Sequence, residues 1–360
     1  MLTSDQNRKI NEIVEEFKEA ADFYRMEYSE DLMGMFRDFG CMLLLKCKVD
    51  TEGKADLERL LEGRHKLKGT VKRQLMTVSE ELVQLWAPGE QDGSGDTGEY
   101  EGSQNVREMF QTALEEIFHF CLYSKGGKNR YLLPEETAKP LLRLLTFPEG
   151  MMAGNEGLVV LDTQCGAGSA LMAASRYLKN LRLMGYEKDE EMWAAAVIMS
   201  QLSGLEMELH LEDGARADLY ESCDLVISNP VYGTDTIKDE ELIDQLPGEL
   251  KTVRGRYHME LIRSMQALNF DGKAMLIVPN SFLFANRTES MKVRKWLLQS
   301  YSLEAIISLP EDTFMYSGVR SGVMVFSKPF MSGGWEGHTQ RVLYYNLEKQ
   351  ESRRPSGLRK

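Results

Sequence analysis

The sequence predicts an α/β chain: a doubly wound, seven-stranded sheet preceded by a helical region. Three observations predict it. From Leu158 to about residue 330, short apolar runs alternate with amphipathic segments, the pattern of parallel strands joined by crossover helices. Acids and a glycine turn stand at the ends of successive apolar runs, where open α/β sheets carry their ligand-binding groups. Residues 1 to about 86 instead space their apolar side chains as helices do.

The helical region opens with Ile10, Ile13, Val14 and Phe17 on one stripe and Glu15, Glu16 and Lys18 off it. Leu57, Leu60, Leu61 and, beyond Gly63, Leu67 and Val71 continue the theme less cleanly. Arg64, Lys66, Lys68, Lys72 and Arg73 form the densest basic cluster of this half; it reads as a solvated helix face ahead of a phosphate-contact face. From Ala87 to about residue 103 the chain carries five acids, no base and many glycines, the composition of a flexible linker. Helix resumes with Val106, Phe110, Leu114 and Ile117 and closes the region at residue 125.

Residues 126–347 form the α/β domain. Its seven expected strands are Leu158 to Leu161, Leu181 to Tyr186, Met207 to Leu211, Asp224 to Ser228, Ala274 to Val278, Ala305 to Ser308 and Gly322 to Phe326. The helices expected between them are Leu171 to Lys179, Glu190 to Leu202, Met259 to Leu268 and Met291 to Gln299. Arg341 to Asn346 reads as an extra strand, and the basic, polar stretch 348–360 as disordered.

A net charge of −13 over 360 residues argues against a protein that grips DNA alone, because phosphate neutralisation needs a basic footprint. Apolar runs such as Met42 to Leu45 are too short to span a bilayer, and residues 1–10 have no apolar core of the exported kind. Five cysteines without a C-x-x-C pair point to reduced thiols in a cytoplasm and away from a structural zinc.

The chemistry gathers at four strand ends. After the first strand comes D-T-Q-C-G-A-G, Asp162 to Gly168. Its spacing suits neither a dinucleotide pyrophosphate nor a nucleoside triphosphate, whereas its acid suits a positively charged amino group and its turn amides suit polar ligand atoms. Glu187 ends the second strand, where an acid takes ribose hydroxyls, and Glu212-Asp213-Gly214 follows the third. The fourth, D-L-V-I-S-N-P-V-Y-G from Asp224 to Gly233, ends on a carboxamide, a fixed carbonyl and a ring. Those groups can hold a flat exocyclic amine. Singly, Asn-Pro is a common turn and each acid a plausible helix cap; the four together argue for a ligand site.

These motifs resemble those of class I S-adenosylmethionine-dependent methyltransferases. Within that class the chain is similar to the adenine-N6 modification subunit of type I restriction–modification systems. Tyr131-Leu132-Leu133-Pro134 stands for the family's aromatic-threonine-proline segment, Asp162 to Gly168 for D-P-A-C-G-T-G, and Asn229 to Tyr232 for N-P-P-aromatic. Glu187 with Trp193, the stretch Ala274 to Asn280, and Leu309 to Phe314 match later family segments. The resemblance implies a Rossmann-like methyltransferase sheet and S-adenosylmethionine held by Tyr131, Pro134, Asp162, Cys165, Gly166, Gly168, Glu187 and Asp213. It implies catalysis without a metal by Asn229, Pro230 and Tyr232 on an adenine flipped out of DNA. It also implies a specificity subunit supplied in trans and a restriction subunit as partners. The chain departs from the pattern at Val231 (proline in the family), Leu133 (threonine) and Thr163-Gln164 (Pro-Ala). Two other readings stay open here: a protein glutamine amide or RNA base amine as methyl acceptor, and a non-catalytic S-adenosylmethionine-binding scaffold. The helical region and L-P-E-D-T-F favour the DNA subfamily.

Overall fold

The computed structural model describes residues 2–28, 32–47, 49, 55–62, 67, 69–86, 97–124, 132–145, 147, 157–220, 222–233, 235–286, 288–314, 319–329 and 341–347. The described helices are α1 (Ser4–Glu27), α2 (Leu32–Lys46), α3 (Ala55–Glu62), α4 (Gly69–Leu85), α5 (Thr97–Tyr123), α6 (Glu135–Arg143), α7 (Ser169–Tyr177), α8 (Glu190–Ser203), α9 (Glu240–Asp244), α10 (Arg256–Gln266), α11 (Asn280–Phe284) and α12 (Thr288–Ser300). The strands are β1 (Leu158–Asp162), β2 (Leu181–Glu187), β3 (Met207–Leu211), β4 (Cys223–Ser228), β5 (Leu268–Pro279), β6 (Ser302–Ser308), β7 (Ser321–Ser327) and β8 (Leu343–Asn346). None of the described helices is long and apolar enough to cross a membrane.

The strands lie in one eight-stranded sheet ordered β3-β2-β1-β4-β5-β7-β6-β8. β1 runs parallel to β2 and to β4, and β4 parallel to β5. β7 is antiparallel to both β5 and β6. The strand order reverses between β1 and β4, so this sheet has its switch point at their carboxyl ends. The extra strand expected near residue 341 forms as β8, parallel to β6 at the sheet edge.

By internal contacts the chain divides into two units: Met1–Arg130 with Gly166–Gly168 and Tyr186–Glu212, and Tyr131–Cys165 with Ser169–Gly185 and Asp213–Lys360. In the first, α1 starts on a capping box: the Thr3 hydroxyl accepts from the Gln6 amide, and the Gln6 side chain accepts from Thr3 N. Ile10, Ile13 and Phe17, the stripe read from the sequence, are fully buried. Phe17 meets Phe39 of α2 edge-on, with ring centres 5.0 Å apart. α2 buries almost its whole circumference, as a helix at the centre of a bundle must. Its Gly40 lies so close to Ile198 of α8 that an added Cβ would sit 2.5 Å from the isoleucine's Cδ1.

α5 begins at Thr97, inside the stretch read as linker. Acidic residues suit the amino end of a helix, where aligned peptide dipoles leave positive charge, so an acid run there need not be loop. Residues 87–96 of that stretch lie outside the described residues, as do 125–130, Tyr131 and 348–360.

In the second unit, β4, β5 and β7 are buried along nearly their whole length, which is why they read as unbroken apolar runs rather than alternating ones. β5 is twelve residues long, because it continues back through Asn269-Phe270-Asp271-Gly272. Asp271 takes a left-handed conformation, φ 61°. The buried Lys273 is tolerated since its ammonium bonds both oxygens of Glu304 at 2.7 Å.

Candidate functional site

In the first unit, Glu187 ends β2 with its carboxylate held by backbone donors. Gly166 N donates to Oε2 at 2.9 Å and Asp189 N to Oε1 at 2.8 Å. Lys188 is a third backbone donor to this carboxylate, so about one lone pair remains for a ligand's hydroxyl. Burial pushes the Glu187 carboxyl above its ordinary range; the backbone donors pull it down, and the Asp189 charge pushes it up again. Asp189 also caps α8, accepting from Glu191 N and Met192 N, which fixes the turn that carries Glu187. Gly166 and Gly168 have φ of 56° and 78°, values that residues with a Cβ avoid. The motif's glycines are therefore required by the turn itself.

In the second unit, Asp162 ends β1 almost fully buried and accepts from Gln164 N at 3.0 Å. Thr163, where the family pattern has proline, joins a buried chain of hydroxyls. It lies 2.5 Å from Ser264 Oγ, which donates to Glu260 O at 2.8 Å and lies 3.4 Å from Ser228 Oγ at the end of β4. The Thr163 departure thus ties the β1 turn to the strand that leads into Asn229. Leu133 N donates to Ser169 Oγ at the start of α7, and Pro134 is the N-cap residue of α6. The Leu133 side chain is buried.

Asp213 is engaged in a way the sequence did not foretell. Its Oδ1 accepts from Arg256 at 2.8 Å and from Ala215 N at 3.2 Å, and Arg216 stands 3.7 Å from Oδ2. Arg256 also bonds the buried Glu260 at 2.7 Å. The loop beyond Asp213 is clamped by Arg263, whose guanidinium donates to the carbonyls of Ala215 and Ala217. Arg256 is thus committed to two carboxylates, and Arg254 donates to the carbonyls of Lys251 and Val253.

The N-P-V-Y turn leaves β4 with Pro230 buried, Asn229 and Tyr232 half-buried and Val231 exposed. Tyr232 donates to Ser321 Oγ of β7 at 3.3 Å. Its ring meets that of Tyr257 edge-on, centre to centre 5.7 Å, and Tyr257 in turn packs edge-on against Phe282 at 5.9 Å. Tyr257, Phe282 and Ser321 were not singled out from the sequence. An aromatic on a buried helix face is ordinarily core, and no local pattern distinguishes these from core residues. Tyr131 lies outside the described residues. Cys165 is buried.

The N-6 DNA methylase family model matches residues 107–360. The methylase subunit of the type I restriction enzyme MjaVII of Methanocaldococcus jannaschii is 24% identical over 76% of this chain and 47% of its own length. The type II restriction enzyme and methyltransferase RM.BcgI of Heyndrickxia coagulans is 26% identical over 54% of this chain and 31% of its own. The chain therefore spans half or less of these curated relatives. Among solved structures, one assigned to class I S-adenosylmethionine-dependent methyltransferases, from Listeria monocytogenes, superposes with a TM-score of 0.67 at 18% identity, covering 95% of this chain and 93% of that one. The methyltransferase subunit of a type I restriction–modification system from Streptococcus thermophilus gives 0.57 at 16% identity, covering 89% and 86%. The structural likenesses establish the fold, and the match over more than two thirds of the sequence establishes the family: the chain belongs to the N-6 DNA methylases.

Proposed function

We propose that this chain methylates the exocyclic N6 of adenine in DNA, using S-adenosylmethionine, as a modification subunit that works with a separate DNA-reading partner. The observation that carries the reading is the N-P-V-Y turn at the carboxyl end of β4, on the switch-point side of the sheet, with its ring packed edge-on by Tyr257.

The cofactor supplies an electrophilic methyl group. The residues present fit it: Glu187 keeps acceptor capacity for a ribose hydroxyl beside its three backbone donors, and Gly166 and Gly168 keep side chains away from the turn. The family resemblance adds Asp162, Cys165 and Asp213, with Pro134 and Tyr131 from the upstream segment, as further holding residues. The adenine amine is paired and stacked in a duplex, so it must be flipped out. The Asn229 side-chain oxygen and the Pro230 carbonyl then accept its two N–H bonds, which aims the nitrogen lone pair at the methyl carbon. Transfer of the cofactor's methyl to that nitrogen would leave the amine with one proton to lose to solvent. Tyr232 stacks on the base and holds its plane. Catalysis on this account is orientation and electrostatics.

The DNA-reading partner follows from the net charge of −13 and from the internal pairing of Arg254 and Arg256. Calorimetry with S-adenosylmethionine tests the cofactor half. Wild-type chain should bind, and Asp162→Ala and Glu187→Ala should abolish detectable binding. A wild-type chain that binds none at millimolar concentration would sink the reading.

A further inference from the structure

The Tyr257 hydroxyl is sealed from solvent and makes no hydrogen bond, in a side chain more than nine-tenths buried. Buried hydroxyls are ordinarily satisfied, and the exceptions mark strain or a role in binding. The ring is fixed on three sides by Tyr232, His258 and Phe282, at 5.7, 5.5 and 5.9 Å. Its position at the start of α10 puts it directly after Arg256, which Asp213 and Glu260 hold. The hydroxyl is therefore well placed yet unused. Of its aromatic neighbours, Tyr232 is the one that follows the N-P-V-Y turn and is half open to solvent.

We infer that Tyr257 is a second base-binding residue, whose hydroxyl bonds a ring nitrogen of the purine that enters beside Tyr232. This rests on the reading of N-P-V-Y as the amine site and extends it to the base's ring. As the base enters, the Tyr232 ring turns from its edge contact to lie flat on the base, and the long 3.3 Å bond to Ser321 gives way. That turn uncovers the Tyr257 hydroxyl. Purine ring nitrogens are acceptors, and the phenol is a donor. Burial, then the neighbouring Tyr232 and Glu260, push its ionisation well above the ordinary range, so it keeps its proton. A pyrimidine is a shorter base and reaches less far into the same pocket, so the contact favours purines.

The test is binding of 2′-deoxyadenosine to the full chain saturated with S-adenosylhomocysteine, followed by calorimetry for wild type, Tyr257→Phe and Asn229→Ala, with thermal melting alongside. The expected result is a five- to tenfold weaker affinity for Tyr257→Phe, with a melting temperature equal to wild type or higher, since an unbonded hydroxyl has been removed. Asn229→Ala should also weaken binding. If Asn229→Ala weakens binding and Tyr257→Phe does not, the inference is overturned while the amine site stands. If wild type does not bind, or neither variant differs from it, both fall together.

Discussion

At the scale of single residues, two groups at the strand ends carry opposite burdens. Asn229 must present an acceptor without assistance from a charge. Removing one preorganised hydrogen-bonding group from a reaction centre costs about 10²–10³ in turnover. Asn229→Ala should lose that much methyl transfer while keeping cofactor affinity, measured with labelled methyl groups; unchanged turnover would mean that Asn229 has been given the wrong role. Glu187 must instead be charged to accept ribose hydroxyls, yet burial raises its pKa. The sign follows directly: a raised pKa means protonation at higher pH than an ordinary glutamate, so cofactor affinity should fall on acidification sooner than for an exposed acid. Titrating affinity by calorimetry from about pH 8 to about pH 5, across the carboxylate's upper range, should show that loss in wild type. A flat profile would remove Glu187 from the cofactor site. The same shift works against folding. In the window between the unfolded and folded pKa values the native state binds more protons, so Glu187's contribution to stability declines as pH rises through it.

At the scale of elements, the contact of Gly40 with Ile198 shows how closely α2 and α8 pack. Gly40→Ala gains helix propensity worth about 1 kcal/mol but drives a methyl into Ile198, and overpacking costs about 1–3 kcal/mol. The net expectation is destabilisation, relieved when Ile198→Ala is added. A urea-denaturation cycle of the two singles and the double should give a favourable coupling of about 1 kcal/mol or more; additive effects would deny the contact. The strands of the sheet were legible because central parallel strands are short apolar runs with turn residues at both ends. Met207–Leu211 falls where the sequence put it. The amino half of β5 was hidden, since Asn-Phe-Asp-Gly reads as a turn and only the pairing of Leu268 with β4 and the backbone bonds of Asp271 and Gly272 to Lys328 extend it. The start of α5 was hidden because acidic, glycine-rich composition suits a loop and a helix start alike. At the candidate site, the glycine turn was legible as a turn through its spacing, and the structure gives Gly166 and Gly168 positive φ. The Asp213–Arg256–Glu260 bonds and Tyr257 were not, because they depend on which distant helix residue faces a strand end.

At the scale of the whole molecule, charge decides what the chain can do alone. With a net −13 and Arg254 and Arg256 bonded within the chain, the described basic residues of the N-terminal cluster, Lys72 and Arg73, are exposed but few. Counterion release then offers little affinity. The purified chain should bind duplex DNA weakly and without sequence preference at physiological salt, measured by fluorescence anisotropy against salt concentration. Tight, site-specific binding by the chain alone would refute the partner requirement and leave the chemistry intact. The central claim is the chemistry, and product identity tests it most directly. DNA incubated with S-adenosylmethionine, the chain and its DNA-reading partner should be digested to nucleosides and analysed by mass spectrometry. The account predicts N6-methyladenine that appears with the wild-type chain and falls about 10²–10³-fold with Asn229→Ala. Methylation found only on cytosine, or N6-methyladenine formed equally well without Asn229, would contradict it.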